Sequence, residues 1–171
     1  MRTKGTPVRQ VAVCGPRKCT EQEAEWARAV GGLLAQAGAT VLCGGGTGVM
    51  AAVAAGAAEA GGLVIGVRPD TDRSVACTGL SAVLFTNMGE ARNAILVESA
   101  DAVIAIGGSW GTLSEVALAR RRGGIPVVSL GGWEVRDANG HPLAATVIAA
   151  DPVDAVRRAL DGIGAARPDP T

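Results

Sequence analysis

This 171-residue sequence predicts a single doubly wound α/β domain, a mostly parallel sheet with helices on both faces. Three observations lead there. Short β-branched apolar runs alternate with longer helical stretches. The short runs are apolar almost throughout, as strands covered on both faces must be. Two of them pass directly through glycine-rich turns into helices, which is where parallel sheets bind their ligands. The length suits one domain with a sizeable core. That domain is expected over 10–161, between a flexible N-terminal segment (1–9) and a flexible Gly- and Pro-rich tail (162–171).

Taken in order, 11–14 reads as a strand stopped by Gly15 and Pro16. Thr20 and Glu23 form a capping box that opens a helix with Trp26, Val30, Leu33, Leu34 and Ala37 on one face, ending near Gly38. A strand over 40–43 leads through Gly44, Gly45, Gly46, Thr47 and Gly48 into an Ala-rich helix, which Gly61 and Gly62 terminate. Strands follow at 63–67 and 83–86, separated by a polar loop, and then a helix at 90–99. The clearest buried strand, 102–106, runs through Gly107, Gly108, Ser109, Trp110 and Gly111 into a helix over 112–122. A strand at 126–130, a loop at 131–142 and a last strand at 146–148 come next. Asp151 then caps a helix that has Pro152 at its first position and reaches residue 160.

Composition excludes several functions. Sixteen basic residues balance sixteen acidic ones, so no basic face for nucleic acid is expected. Aromatic residues are 2% of the chain, too few for a base-stacking platform. Lysine occurs only at Lys4 and Lys18, both in polar segments, which leaves no Schiff-base lysine for pyridoxal phosphate and no Gly-Lys-Ser/Thr of a P-loop. The first ten residues carry no apolar stretch, and the apolar run 49–58 is too short for a bilayer. The expectation is a cytoplasmic protein without a membrane partner. Cys14, Cys19, Cys43 and Cys77 show no metal-ligand spacing and read as free thiols, so no metal is expected.

The two glycine turns carry the chemistry. Gly46, Gly48 and Ala51 match a loose dinucleotide fingerprint, but Gly66 to Pro69 stand where its ribose-binding carboxylate belongs. The turn either holds a phosphate on open backbone amides at a helix N-terminus or simply allows a tight bend. In the second turn, Glu115 either faces a substrate, stabilising a sugar cation or activating water, or closes a capping box with Thr112. Arg92 is either a phosphate or ribose clamp or solvated helix surface. Trp110 and Trp133 follow strand ends and either wall a base pocket or pack. His141, the single histidine, lies in a turn and is no catalytic base.

The run from Gly44 to Met50, then Arg92-Asn93, then the run from Gly107 to Glu115 together resemble the Lonely Guy superfamily of Rossmann-like proteins, often labelled lysine decarboxylases. The resemblance covers about 11–160. It implies hydrolysis of the N-glycosidic bond of a nucleoside 5′-monophosphate, typically a cytokinin riboside monophosphate, to free base and ribose 5-phosphate. It also implies a homodimer that uses no metal or cofactor. The family's arginine falls on Arg92 and its glutamate on Glu115. Two positions depart: Asn93 stands where the enzymes carry Lys, and Gly107 to Thr112 replace Pro-Gly-Gly-aromatic-Gly-Thr. Both departures resemble a sister branch that includes the molybdenum cofactor carrier proteins. The decarboxylase label fails for want of a suitable lysine.

The leading expectation is therefore a phosphoribohydrolase. Its substrate phosphate rests on Gly107, Gly108, Ser109, Trp110, Gly111 and Thr112, assisted by Gly44, Gly45, Gly46, Thr47 and Gly48. Glu115 stabilises the ribosyl cation and positions water, Arg92 orients Glu115 or grips the ribose, and Trp110, Met88 or Asn93 contacts base or ribose. The competing expectation is a non-enzymatic carrier of a phosphorylated cofactor, or a nucleotide sensor, using the same cleft.

Overall fold

The computed structural model describes residues 8–144 and 146–164. The expected flexible ends fall largely outside them. Seven strands form one sheet: β1 (Gln10–Cys14), β2 (Thr40–Cys43), β3 (Val64–Arg68), β4 (Ala82–Phe85), β5 (Ala102–Ile106), β6 (Val127–Leu130) and β7 (Val147–Ile148). Their order is β4-β3-β2-β1-β5-β6-β7, and every neighbouring pair is parallel. β1 lies in the middle, with Val11 opposite Ala102 and Cys14 opposite Ala105 of β5. Chain order runs outward in both directions from this pair, so the β1–β5 boundary is the topological switch point.

Five helices cover the sheet: α1 (Glu21–Gln36), α2 (Val49–Glu59), α3 (Arg92–Glu98), α4 (Trp110–Arg122) and α5 (Pro152–Asp161). Alternation along the strands feeds two cores. Val11, Val13, Val41, Ile104 and Val128 face α1, α2 and α5, whereas Ala12, Leu42, Val103 and Val127 face α3 and α4. Small residues set the spacing on the first face. A Cβ on Gly31 of α1 would lie 2.9 Å from the backbone nitrogen of Ala57 in α2, so the two backbones meet directly. The predicted capping box forms: the Glu23 N–H donates to Thr20 Oγ1 at 3.1 Å, and the Thr20 N–H donates to Glu23 Oε2 at 2.8 Å.

Several boundaries differ from the sequence reading, and two of the differences matter for the site. The third strand runs one residue further than expected, so Arg68 belongs to β3 and is buried rather than opening a loop. The helix expected over 90–99 is a 3-10 turn (Gly89–Ala91) followed by α3, which places Arg92 at a helix start. Left-handed backbone at Asn87 (φ 52°) and Gly89 (φ 56°) keeps the helix from starting earlier. Thr146 lies just outside β7. Among the described residues no helix is long and apolar enough to cross a membrane, and no group of three or more His, Cys, Asp or Glu could hold a metal ion.

Candidate functional site

A cleft of about 700 Å³ opens at the carboxyl ends of β1 and β5, over the switch point. The chain following β1 forms one wall and the start of α4 the other. Gly44, Arg92, Asn93 and Glu115 lie between them.

Glu115 is buried, with 7% of its surface exposed. The capping-box reading of Thr112 and Glu115 is incorrect. α4 begins at Trp110, and its cap is Ser109, whose Oγ accepts the Thr112 N–H at 3.1 Å. The cap lies three residues earlier because Ser109 is extended (φ −155°) and can turn its hydroxyl back onto the helix. Glu115 thus sits in the second turn and presents its carboxyl to the cleft instead of to backbone. Burial pushes its pKa up to about 7, against the opposing pull of the Arg92 charge and a hydrogen bond from the Cys14 thiol. Burial, with the Glu115 charge adding to it, holds Cys14 well above the usual thiol range, so it serves as a donor.

Arg92 is not solvated surface, since only 5% of it is exposed. Its guanidinium lies on Gly44, where an added Cβ would come within 2.6 Å of Nη1. Its Nε and Nη1 have no hydrogen-bond partner. A buried cation with idle donors is costly and calls for an acceptor. Asn93, equally buried, donates through Nδ2 to Ser114 Oγ at 3.1 Å and Glu90 Oε2 at 3.4 Å, while its Oδ1 has no partner.

The structure brings Gly44, Arg92, Asn93, Gly108, Ser109, Trp110, Gly111, Thr112 and Glu115 to one cleft. It does not bring Gly107 there, against which Glu23 packs, nor Gly45, Gly46, Thr47 or Gly48, because other parts of the chain occupy that turn. Arg68, ion-paired with Asp70, donates to the Gly45 carbonyl at 3.3 Å and packs beside Gly46. The Thr47 hydroxyl donates to the Arg17 carbonyl at 3.2 Å. The Val49 N–H at the start of α2 donates to the Pro16 carbonyl at 3.1 Å. Met88 is half exposed and does not line the cleft. Trp110, 79% exposed, stands at the rim edge-to-face with Trp133, their centroids 5.2 Å apart. Trp133 in turn lies against Gly108, where an added Cβ would fall 2.7 Å from its Cγ.

Sequence reasoning missed Cys14, Pro16, Arg17, Lys18, Glu90 and Ser114 as cleft residues. For the first four the signal was available, since they follow the central strand at its carboxyl end. Ser114 lies within the Gly107–Glu115 run already singled out, whereas Glu90 had no signal, because it lies in the 3-10 turn before α3, which the packing of α3 on α4 brings there.

The sheet order and this cleft define a Rossmann-like protein of the Lonely Guy type. Within that class the chain belongs to the SLOG cluster4 family, whose model matches residues 8–156. It is 41% identical over 115 residues to an uncharacterized protein of Archaeoglobus fulgidus, covering 67% of this chain and 75% of that one. Its structure resembles the molybdenum cofactor binding protein of the phototrophic bacterium Rippkaea orientalis (TM-score 0.79, 32% identity, 90% of this chain and 96% of that one). It also resembles the molybdenum cofactor carrier protein of Chlamydomonas reinhardtii (TM-score 0.76, 31% identity, 92% and 99%).

Proposed function

We propose that this protein binds a phosphorylated heterocycle in the β1–β5 cleft and carries it, a pterin-type cofactor being the cargo, without cleaving it. The observation that carries this reading is Arg92: a buried cation in the cleft's lining whose Nε and Nη1 have no hydrogen-bond partner. An anionic ligand supplies what it lacks. The first amides of a helix have no partner within it, and Ser109 satisfies that of Thr112, which leaves those of Trp110 and Gly111 for a phosphate. The exposed Trp110 offers an apolar face to a flat ring above that phosphate.

Two features favour carriage over the hydrolysis expected first. The position that is lysine in the hydrolases holds Asn93, whose amide is engaged with Ser114 and Glu90 and brings no charge. Glu115 has its pKa pushed up to about 7 by burial, so part of it is neutral at neutral pH and carries no charge to offset a ribosyl cation. The similarity to proteins described as binding and carrying the molybdenum cofactor supports the same reading.

Hydrolysis of a nucleoside 5′-monophosphate is the second reading, favoured by Glu115 and Arg92 sharing one cleft. There the ionised Glu115 would stabilise positive charge at C1′ as the glycosidic bond breaks. Water would add to C1′, and its proton would pass to the departing base. One experiment decides between them. AMP, GMP, CMP, UMP, isopentenyl-AMP and a pterin monophosphate are incubated with wild type, Arg92→Ala and Glu115→Ala, reading free base, ribose 5-phosphate and melting temperature. Carriage predicts a ligand-dependent rise in melting temperature that Arg92→Ala removes, with no base released. Base release abolished by Glu115→Ala would establish the hydrolase instead.

A further inference from the structure

A bound monophosphate leaves one wall of the cleft without a role. Pro16, Arg17 and Lys18 follow β1 and face the start of α4 across the cavity. Arg17 and Lys18 are exposed, and neither takes part in an ion pair among the described residues. Solvated surface charge is the ordinary explanation for such residues, and three observations count against it.

The first is that their loop is held in place. The Pro16 carbonyl accepts from Val49 N–H and the Arg17 carbonyl from the Thr47 hydroxyl, at 3.1 and 3.2 Å. Gly48 lets the loop lie directly on the turn, since a Cβ there would be 2.5 Å from the Arg17 carbonyl oxygen. Beyond Gly44 the first glycine turn is closed to ligands and acts as a pedestal for the cations of the loop after β1.

The second is charge. Arg17, Lys18 and Arg92 share the cleft with only two carboxyl groups, Glu90 and Glu115, in a chain whose charges cancel overall. The excess positive charge is local. The third is Arg92 itself, nine-tenths buried with two unpartnered nitrogens, which points to an anion inside the cleft rather than only at its rim.

We propose that the cleft takes a ligand bearing a diphosphate, one phosphoryl group on the α4 amides with Arg92 and the other on Arg17 and Lys18. The cargo is then a nucleotide-linked or otherwise diphosphorylated form rather than a monophosphate. This inference rests on the binding function above and specifies the charge of its ligand.

The test is isothermal titration of the full chain with AMP and with ADP, on wild type and an Arg17→Ala/Lys18→Ala double variant. In wild type ADP should bind at least about tenfold tighter than AMP. The double variant should bring ADP down to the AMP level while leaving AMP within about twofold. Both substitutions are at exposed positions, and a thermal melt confirms the fold. Equal affinities in wild type, or a double variant that weakens both nucleotides alike, overturn the diphosphate and leave the binding function standing. If neither nucleotide binds, phosphate and pyrophosphate are titrated with the same expected order. Failure of all four overturns the diphosphate, and the binding function falls with it only if the pterin monophosphate also gives no rise in melting temperature.

Discussion

The two glycine turns look alike in sequence and do opposite things. Each follows a buried strand, each opens a helix, and each exposes backbone amides by dispensing with side chains. Turn 44–48 is filled by its own protein: Arg68 lies over Gly45 and Gly46, and the Pro16–Arg17 backbone lies against Gly48. Turn 107–111 is packed at its start, where Glu23 lies against Gly107 and Trp133 against Gly108, but open where α4 begins, since nothing beyond Ser109 Oγ, at 3.8 Å, approaches an added Cβ on Gly111. Glycine spacing creates an opportunity for an anion. Whether it is taken depends on which neighbouring element arrives first.

The contrast can be broken most sharply at Gly48. It combines a left-handed φ of 66° with a backbone neighbour, so Gly48→Ala should cost about 4 kcal/mol of stability, combining strain and overpacking. Urea denaturation measures it, and a cost below about 1 kcal/mol would mean that the loop is not seated on the turn.

Glu115 marks the open side of the comparison. An unfolded glutamate titrates near 4.5, so below that pH both states hold the proton; between there and about 7 only the folded state does. Wild type should therefore lose stability relative to Glu115→Gln as pH rises from 4.5 through 7, by a total on the order of 3 kcal/mol. Paired melts at pH 4.5, 6 and 8 read the difference, and a gap independent of pH would show that the carboxyl is not buried uncharged.

Ser109→Ala removes the α4 cap and should cost about 1 kcal/mol. Gly111→Ala is the smallest expected effect and has the opposite sign. The position is helical and open, so it should stabilise by about 0.5 kcal/mol. The pair Gly48→Ala and Gly111→Ala tests the comparison in two melts.

Much of the site was legible from residues alone. Arg92 and Glu115 stood out through their family resemblance, and Ser109 to Thr112 through the strand-to-helix turn. Spacing alone gave the wrong role to Glu115, because Thr112 three residues before it imitates a capping box. The true cap, Ser109, depends on an extended φ that a sequence pattern does not display. Cys14 read as a small buried hydrophobe, which describes its burial but not the carboxyl it faces.

The sequence by itself determined the parallel sheet, its two helical layers and the site end. Apolar runs of strand length, helical periodicity and glycine turns are local signals, and chain connectivity compels right-handed crossovers between parallel strands. Tertiary structure alone decided which turn stays open, because occupancy is a long-range matter. Arg68 reaches Gly45 from β3, 23 residues away, and Arg17 meets Thr47 from β1's loop, 30 residues away. Side chains compete for every vacancy that backbone leaves, and the outcome is set by strands adjacent in the sheet rather than by residues adjacent in the chain.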